Sequence, residues 1–452
     1  MEIVIIGAGT VGSAVCRELA QEGHSITAVD SDEKVVTGLT NTYDVFGVVG
    51  SAAEISTLRK ANAESADLLL AITSSDEINL LVCTAGRKLG ARHSVARIRN
   101  PEYTEMMQLL RTDMNLSMTI NPEMSAAKEI YRSLRFPSAA KVNLFCRGRL
   151  EVAELTLGED SPVCGETLND LRARLNLRFL ICAVLRNGET FVPNGHFRME
   201  AGDTICVAAP EDCTTDFFKA IGAYKQPVRD ILIAGGGRVT YYLLTMLGKS
   251  KIHAKVIEKD EAVCRELASE FPNCTVICED GSNQDLLLEE GLERTDAFLT
   301  LSPVDEENVL ASLYAKTCGV PKVITMIQKL NQSEFLKKAG LETIVSPRQS
   351  TAAQILRFVR AMANARGSEI EALHRIMDGQ IEAIEFRIKE EIEGITGIPL
   401  KDMKLKKDTL IACIMHRDKV LIPSGSDKIE KGDTVIVMTK VGQTKDIRDL
   451  LL

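Results

Sequence analysis

The sequence predicts an α/β chain duplicated in tandem, each half a doubly wound parallel-sheet domain followed by a small α+β module. Three observations predict it: an ordered set of markers occurs twice, short apolar runs alternate with helical patterns at the start of each half, and the pattern then changes to alternating strands. The glycine turn Gly7-Ala8-Gly9-Thr10-Val11-Gly12 returns 228 positions on as Gly235-Gly236-Gly237-Arg238-Val239-Thr240, and Asp30 returns at the same step as Glu258. Asp76-Glu77 with Asn79 recurs 229 positions on as Asp305-Glu306 with Asn308, and Pro122 recurs 225 on as Pro347. Pro193-x-Gly195 and Gly202-Asp203-Thr204 recur 230 on as Pro423-x-Gly425 and Gly432-Asp433-Thr434. A constant order at a nearly constant step is the mark of an internal repeat.

Each element follows from its pattern. Residues 3–6, 25–29, 44–46, 66–72 and 94–98 are short apolar runs between helical stretches, as expected of parallel strands covered on both faces. Residues 1–138 are therefore read as the first parallel-sheet domain. Over 139–224, alternating strands such as 152–157 and 204–209, with turns at Pro193-Asn194-Gly195 and Ala201-Gly202-Asp203, indicate a small α+β module. A second parallel-sheet domain spans 225–366 and a second module 367–452. After Pro122, Met124, Ala127, Ile130, Tyr131 and Leu134 share one helical face; Ala352, Ile355, Leu356 and Val359 do so after Pro347.

Composition narrows the function classes. The 452 residues are 45% apolar and 26% charged, an ordinary globular balance. No run of 18 apolar residues occurs, so no membrane span is expected. The second residue is acidic where a signal peptide is basic, so secretion is not expected. The 12 cysteines form no C-x-x-C pair and read as reduced structural thiols of a cytosolic protein. A net charge of −9, with 4% aromatics and no Trp, argues against a nucleic-acid partner.

The glycine turn carries the chemistry. Its first glycine permits the strand-to-helix turn, its second lets backbone N–H groups approach a pyrophosphate, and its third lets the helix pack on the strand. The phosphate then lies at the positive end of the helix. Asp30, closing the second strand, suits the 2′ and 3′ hydroxyls of a ribose and repels a 2′-phosphate, so NAD(H) is expected before NADP(H). In the second turn Thr240 replaces the third glycine, which leaves two readings: a nucleotide site with Glu258 in the role of Asp30, or a half kept for architecture.

Two further features adjoin the turn. Thr73-Ser74-Ser75-Asp76-Glu77, like Ser302-Pro303-Val304-Asp305-Glu306, has the spacing of a capping box with Pro303 at the first helical position, on a loop whose hydroxyls could also reach a nucleotide. Arg97 is expected inside the fifth strand, where a charge needs a partner: a phosphate, a carboxylate or an interface. Its counterpart is Met326, which makes the halves unequal. The six histidines are dispersed and no metal-ligand spacing or catalytic constellation is found. An NAD-dependent oxidoreductase with an unrecognised substrate site remains the alternative to a non-enzymatic role.

This arrangement, with the Thr73-x-x-Asp76-Glu77-x-Asn79 segment, resembles the RCK/KTN regulators of potassium transport over essentially the whole chain. The resemblance implies Rossmann-like RCK-N domains, each followed by an RCK-C module. It implies NAD(H), with ATP or ADP as further ligands, bound through Gly7, Ala8, Gly9, Thr10, Val11 and Gly12 with Asp30, Thr73, Ser74 and Arg97, and in the second half through Gly235, Gly236, Gly237, Arg238, Val239 and Glu258. Where the family often has Gly-Asp after the third strand, this chain has Gly50-Ser51, while the second half keeps Asp280; Ser51 and Asp280 join the candidate contacts. The implied role is a cytoplasmic, peripheral regulatory subunit: a homo-oligomer, dimer or tetramer ring, docked on a membrane-embedded Trk-type potassium transporter subunit. No motif in the small modules identifies a further effector.

Overall fold

Four of the five residues of β1 (Glu2–Ile6) and all four of β4 (Leu68–Ala71) are buried, as strands covered by helices on both faces must be. With β2 (Ser25–Asp30), β3 (Phe46–Val49), β5 (His93–Arg97) and β6 (Met118–Ile120) they form a parallel six-stranded sheet, ordered β3-β2-β1-β4-β5-β6. The computed structural model describes residues 1–103, 106, 114–136, 139, 141–224, 226–248, 250–328, 333–341, 343–363, 368–417, 419–440, 444 and 446–451. An antiparallel sheet follows from β7 (Lys141–Phe145), β8 (Leu150–Thr156), β9 (Leu180–Arg186), β10 (Glu189–Phe191) and β11 (Thr204–Pro210), ordered β10-β9-β11-β8-β7.

The second half repeats both sheets. Strands β12 (Asp230–Ala234), β13 (His253–Glu258), β14 (Thr275–Cys278), β15 (Ala297–Thr300), β16 (Lys322–Met326) and β17 (Thr343–Val345) are ordered β14-β13-β12-β15-β16-β17. The last sheet holds β18 (Ser368–Ile376), β19 (Ile381–Ile388), β20 (Thr409–His416), β21 (Lys419–Leu421) and β22 (Thr434–Lys440), ordered β18-β19-β22-β20-β21. The fold is thus the expected duplication of a Rossmann-like domain and a small module. By contacts it forms two compact units: Met1–Tyr131 with Val228–Leu356, holding both parallel sheets, and Arg132–Pro227 with Arg357–Leu452, holding both antiparallel ones. The expected module boundaries at 138, 225 and 366 lie outside the described residues.

One strand expectation needs correction. The third strand is not at 44–46 but at Phe46–Val49, paired from Thr27–Phe46 to Asp30–Val49. Gly47 lets it pass under the preceding helix, since a Cβ there would stand 2.5 Å from Val36 Cγ1; a glycine inside a strand gives no strand signal. Arg97 lies in the fifth strand as expected, as its last residue, in register with Ile120 of β6.

The repeated Gly-Asp-Thr has a structural reason. Asp203 is buried and accepts the Glu200 N–H at 2.8 Å and Arg186 Nε and Nη2 at 2.7 Å each. Asp433 does the same with the Glu430 N–H at 2.8 Å and His416 Nδ1 at 2.6 Å. Between the two modules of this unit the Cys146 N–H donates to Glu385 Oε1 and the Met377 N–H to Glu154 Oε2, both at 3.1 Å. The exchange is symmetric, as the duplication requires.

Glu151 breaks that symmetry. Its counterpart Glu382 accepts both Arg360 Nη1 and Nη2 at 3.0 Å, whereas Arg135 lies 3.7 Å from Glu211 instead. Buried Glu151 Oε2 has no hydrogen-bond partner among the described residues, and burial pushes its carboxyl up to about 7. Ionisation of a carboxyl raised in the folded state opposes folding, so stability present at acid pH is lost as pH rises from the ordinary carboxylate range to about 7. Glu151→Gln is expected to stabilise by on the order of 2 kcal/mol at pH 8 and to change little at pH 4. Denaturant melts at the two pH values would contradict this by giving equal shifts.

Candidate functional site

The first turn is shaped by contacts that exclude a Cβ. Gly7 has φ +93°, and a Cβ on it would lie 2.7 Å from the Thr73 backbone nitrogen. A Cβ on Gly12 would lie 2.0 Å from the Gly7 carbonyl oxygen, so the helix Thr10–Gln21 can rest on the strand end only with glycine there. Gly9 differs: nothing lies within 4 Å of its Cβ position. It is the N-cap and has no side-chain cap, so the first N–H groups of a twelve-residue helix face open space, the arrangement that favours an anion.

Asp30 is held at the neighbouring strand end. Its Oδ2 accepts the Ala8 N–H at 2.7 Å and its Oδ1 the Asp32 N–H at 3.0 Å, which aims the carboxylate across the turn and leaves lone pairs for further donors. Ser51 follows β3, its Oγ accepting the Ala53 N–H at 3.3 Å. Opposite, the Thr73 hydroxyl and N–H both donate to Asn79 Oδ1, at 2.7 and 2.8 Å, and Asn79 Nδ2 donates to the Arg97 carbonyl at 2.9 Å. Asp76 Oδ2 accepts the N–H groups of Arg99 and Asn100 at 2.7 and 2.8 Å. Asp76 and Asn79 therefore clip the ends of β4 and β5 together.

That clip corrects the capping box. Ser75, not Thr73, is the N-cap of the helix Asp76–Leu89, accepting the Ile78 N–H at 3.2 Å, because the Thr73 hydroxyl is spent on Asn79. In the second half the N-cap is Val304, without a side-chain cap, and Pro303 precedes it rather than opening the helix. Asn308 and Asp305 keep the clip: the Ser302 N–H donates to Asn308 Oδ1 at 3.0 Å and the Gln328 N–H to Asp305 Oδ1 at 2.9 Å.

The second turn repeats the first with one adjustment. Gly235 has φ +109°, and the Gly236 N–H donates to Glu258 Oε2 at 2.6 Å. A Cβ on Gly236 would stand 2.9 Å from Glu258 Cγ, so the longer acid is matched by a glycine where the first half has Ala8. Thr240 turns its hydroxyl onto the Gly235 carbonyl at 2.6 Å, taking the place of direct backbone packing.

Both turns open on one cavity of about 790 Å³ within the unit that holds the parallel sheets. From the first half Gly7, Gly9, Thr10, Val11, Asp30, Ser51, Thr73, Ser74 and Arg97 line it, and from the second half Gly237, Arg238 and Val239. Ala8, Gly12, Gly235, Gly236, Glu258 and Asp280 are not among the lining residues. Asp280 instead accepts the Ser282 N–H at 2.9 Å and hydroxyl at 2.8 Å, which hold its carboxyl below the usual range. Sequence reading missed Arg99, Glu123 and Arg348, which also line the cavity. Its signal lay in the repeat: Arg97 faces Met326, Arg99 faces Gln328 and Glu123 faces Arg348 when the halves are superposed.

The charged lining consists of four arginines, Arg97, Arg99, Arg238 and Arg348, against two carboxylates, Asp30 and Glu123. Burial, then repulsion from Arg99, lowers Arg97 to about 10, and burial raises Glu123. Buried Arg97 Nε, Arg99 Nε and Glu123 Oε2 have no hydrogen-bond partner among the described residues. Excess positive charge with unused donors, beside a bare helix N-terminus and a ribose-type acid, fits an anionic nucleotide. Among the described residues no group of His, Cys, Asp and Glu is arranged to hold a metal, and no helix is long and apolar enough to cross a membrane.

Fold and site together define a tandem pair of Rossmann-like, nucleotide-binding-type domains, each carrying a small antiparallel module. The TrkA-N domain model matches residues 3–118 and 231–347, and the TrkA-C domain model matches 152–222 and 384–452. The chain belongs to the TrkA family. It is 30% identical over 451 residues, the full length of both chains, to a Trk system potassium uptake protein TrkA homolog of Archaeoglobus fulgidus. It is 31% identical to Trk system potassium uptake protein TrkA of Haemophilus influenzae over 447 residues, 97% of this chain and 95% of that one. Among solved structures, the GsuK channel bound to NAD shares the fold with a TM-score of 0.64 at 17% identity, over 99% of this chain and 78% of that one. The GsuK RCK domain does so at 0.64 and 18%, over 99% and 94%.

Proposed function

We propose that the chain is a nucleotide-sensing regulatory subunit of potassium uptake, acting on a membrane-embedded Trk-type transporter subunit from its cytoplasmic side. The observation that carries the reading is the cavity in which the Gly7–Gly12 turn and Asp30 meet arginines from both halves. The two full-length relatives are named as potassium uptake proteins, and the first neighbour is named as a channel bound to NAD. In this reading NAD(H) takes the first turn, its pyrophosphate over Gly9 and its adenosine ribose on Asp30, while Arg97, Arg99, Arg238 and Arg348 balance the phosphates. ATP or ADP would use the same turn and cations. Thr73, Ser74 and Ser51 lie where hydroxyls can meet the ligand, whereas Gly235, Gly236, Glu258 and Asp280 belong to a second, weaker site. The modules are proposed as 1–138, 139–224, 225–366 and 367–452.

Occupancy then works as a switch and not as a reaction. Moving a gate from about 1:99 to 99:1 takes roughly 5.5 kcal/mol of differential binding, above the 1 to 3 kcal/mol typical of one coupling. A homo-oligomeric ring of four chains with two sites each spreads this to about 0.7 kcal/mol per site. The first test is chemical: freshly purified protein, denatured, is expected to release an adenine nucleotide, and titration with NADH is expected to leave the cofactor unoxidised. Steady consumption of NADH in the presence of a carbonyl substrate would favour the oxidoreductase alternative.

A further inference from the structure

The second half carries a thiol pair at its acidic strand end. Cys264, in the helix Glu261–Glu270, is buried, and its Sγ–H donates to the Glu258 carbonyl at 3.1 Å. Cys278 ends the edge strand β14, is exposed, and is the register partner of Glu258. The Glu258 carbonyl that receives the Cys264 thiol also accepts the N–H of Glu279, the residue after Cys278, at 3.0 Å, so the two cysteines flank one peptide group. In the first half the position 228 before Cys264 is Val36, and the register partner of Asp30 is Val49. The sulfur pair is thus confined to the second half, at a place where the fold is equally served by two valines.

We propose that Cys264 and Cys278 form a modification site at which a peroxide makes an intramolecular disulfide, tying the helix Glu261–Glu270 to β14 beneath the second glycine turn. Burial and the facing Cys278 thiol push Cys264 up to about 12, so the exposed Cys278 meets the oxidant first. Its sulfur displaces water from hydrogen peroxide and becomes a sulfenic acid. Cys264 Sγ then attacks Cys278 Sγ; the S–S bond forms as the S–O bond breaks, and the departing hydroxide leaves with the Cys264 proton as water. The bond also removes the Cys264 donor from the Glu258 carbonyl, on the residue whose carboxylate holds the Gly236 N–H.

The test is peptide mapping of the native full chain after treatment with hydrogen peroxide, with the peroxide removed and the chain then unfolded in excess alkylating reagent, so that every remaining thiol is blocked as it becomes exposed. The expected result is a Cys264–Cys278 cross-link lighter by two hydrogens than the reduced pair, while buried Cys16 and Cys83 stay blocked as thiols. Cys278→Val, which copies the exposed Val49 of the first half, is expected to lose the cross-link and leave Cys264 reduced. Cys264→Val is expected to drive Cys278 on to sulfinic acid, since its partner is gone. A wild-type map with Cys278 over-oxidised and Cys264 still a thiol, with either residue paired to another cysteine, or with both untouched, would overturn the proposal.

Discussion

Gly9→Ala is expected to abolish nucleotide binding at the first turn while leaving stability within about 0.5 kcal/mol of the parent. The added methyl meets no atom within 4 Å, and the residue has φ −61°, which alanine adopts freely, so the fold has nothing to lose. What the methyl occupies is the space in front of the helix N-terminus that a pyrophosphate must enter. Gly12→Ala is the contrasting variant. Its methyl would sit 2.0 Å from the Gly7 carbonyl, a backbone atom that cannot swing aside, and a cost of up to about 3 kcal/mol is expected from forced repacking. Calorimetry with NADH and denaturant melts on both variants separate the effects. Parent-like affinity in Gly9→Ala would mean that the ligand does not lie over this turn.

The second large effect concerns Asp30. The parent is expected to bind NADH at least about tenfold better than NADPH, because a 2′-phosphate brought against this carboxylate is a like-charge contact of several kcal/mol. Asp30→Ala also strands the Ala8 N–H, which costs about 1 to 3 kcal/mol if it stays buried, so Asp30→Asn is the cleaner variant. Its side-chain oxygen can still accept the Ala8 N–H while the charge is gone. Asp30→Asn is expected to weaken NADH and to bring NADPH close to it. Equal affinities for the two cofactors in the parent would remove the assigned role of Asp30.

What the sequence made legible is what backbone geometry demands of it. The two glycine turns, the acids closing β2 and β13 and the repeat itself are each set by steric or spacing constraints that few residue types meet, and all are found where expected. The wider lining of the cavity was less legible. Arg99, Glu123 and Arg348 come from three separate segments, and only the gathering of both parallel sheets into one unit brings them to a common space. The loop after β4 was misread by two residues, since nothing in Thr73-Ser74-Ser75 tells which hydroxyl caps the helix until Asn79 is seen to take the first. Glu258 accepts the Gly236 and Asp260 N–H groups just as Asp30 accepts those of Ala8 and Asp32, as the repeat spacing led one to expect, but that spacing does not tell that neither Glu258 nor Asp280 lines the cavity.

The central claim is that nucleotide occupancy at the first turn controls potassium flux without being consumed. The most direct test is potassium flux into liposomes holding a Trk-type membrane subunit, measured with this chain added, with and without NAD(H) or ATP, for the parent and for Gly9→Ala. The account predicts that nucleotide changes the flux with the parent chain, that its concentration stays constant throughout, and that Gly9→Ala loses the response in step with its loss of binding. A flux response that survives in Gly9→Ala after binding at the first turn is gone would contradict the account and leave that turn an architectural element.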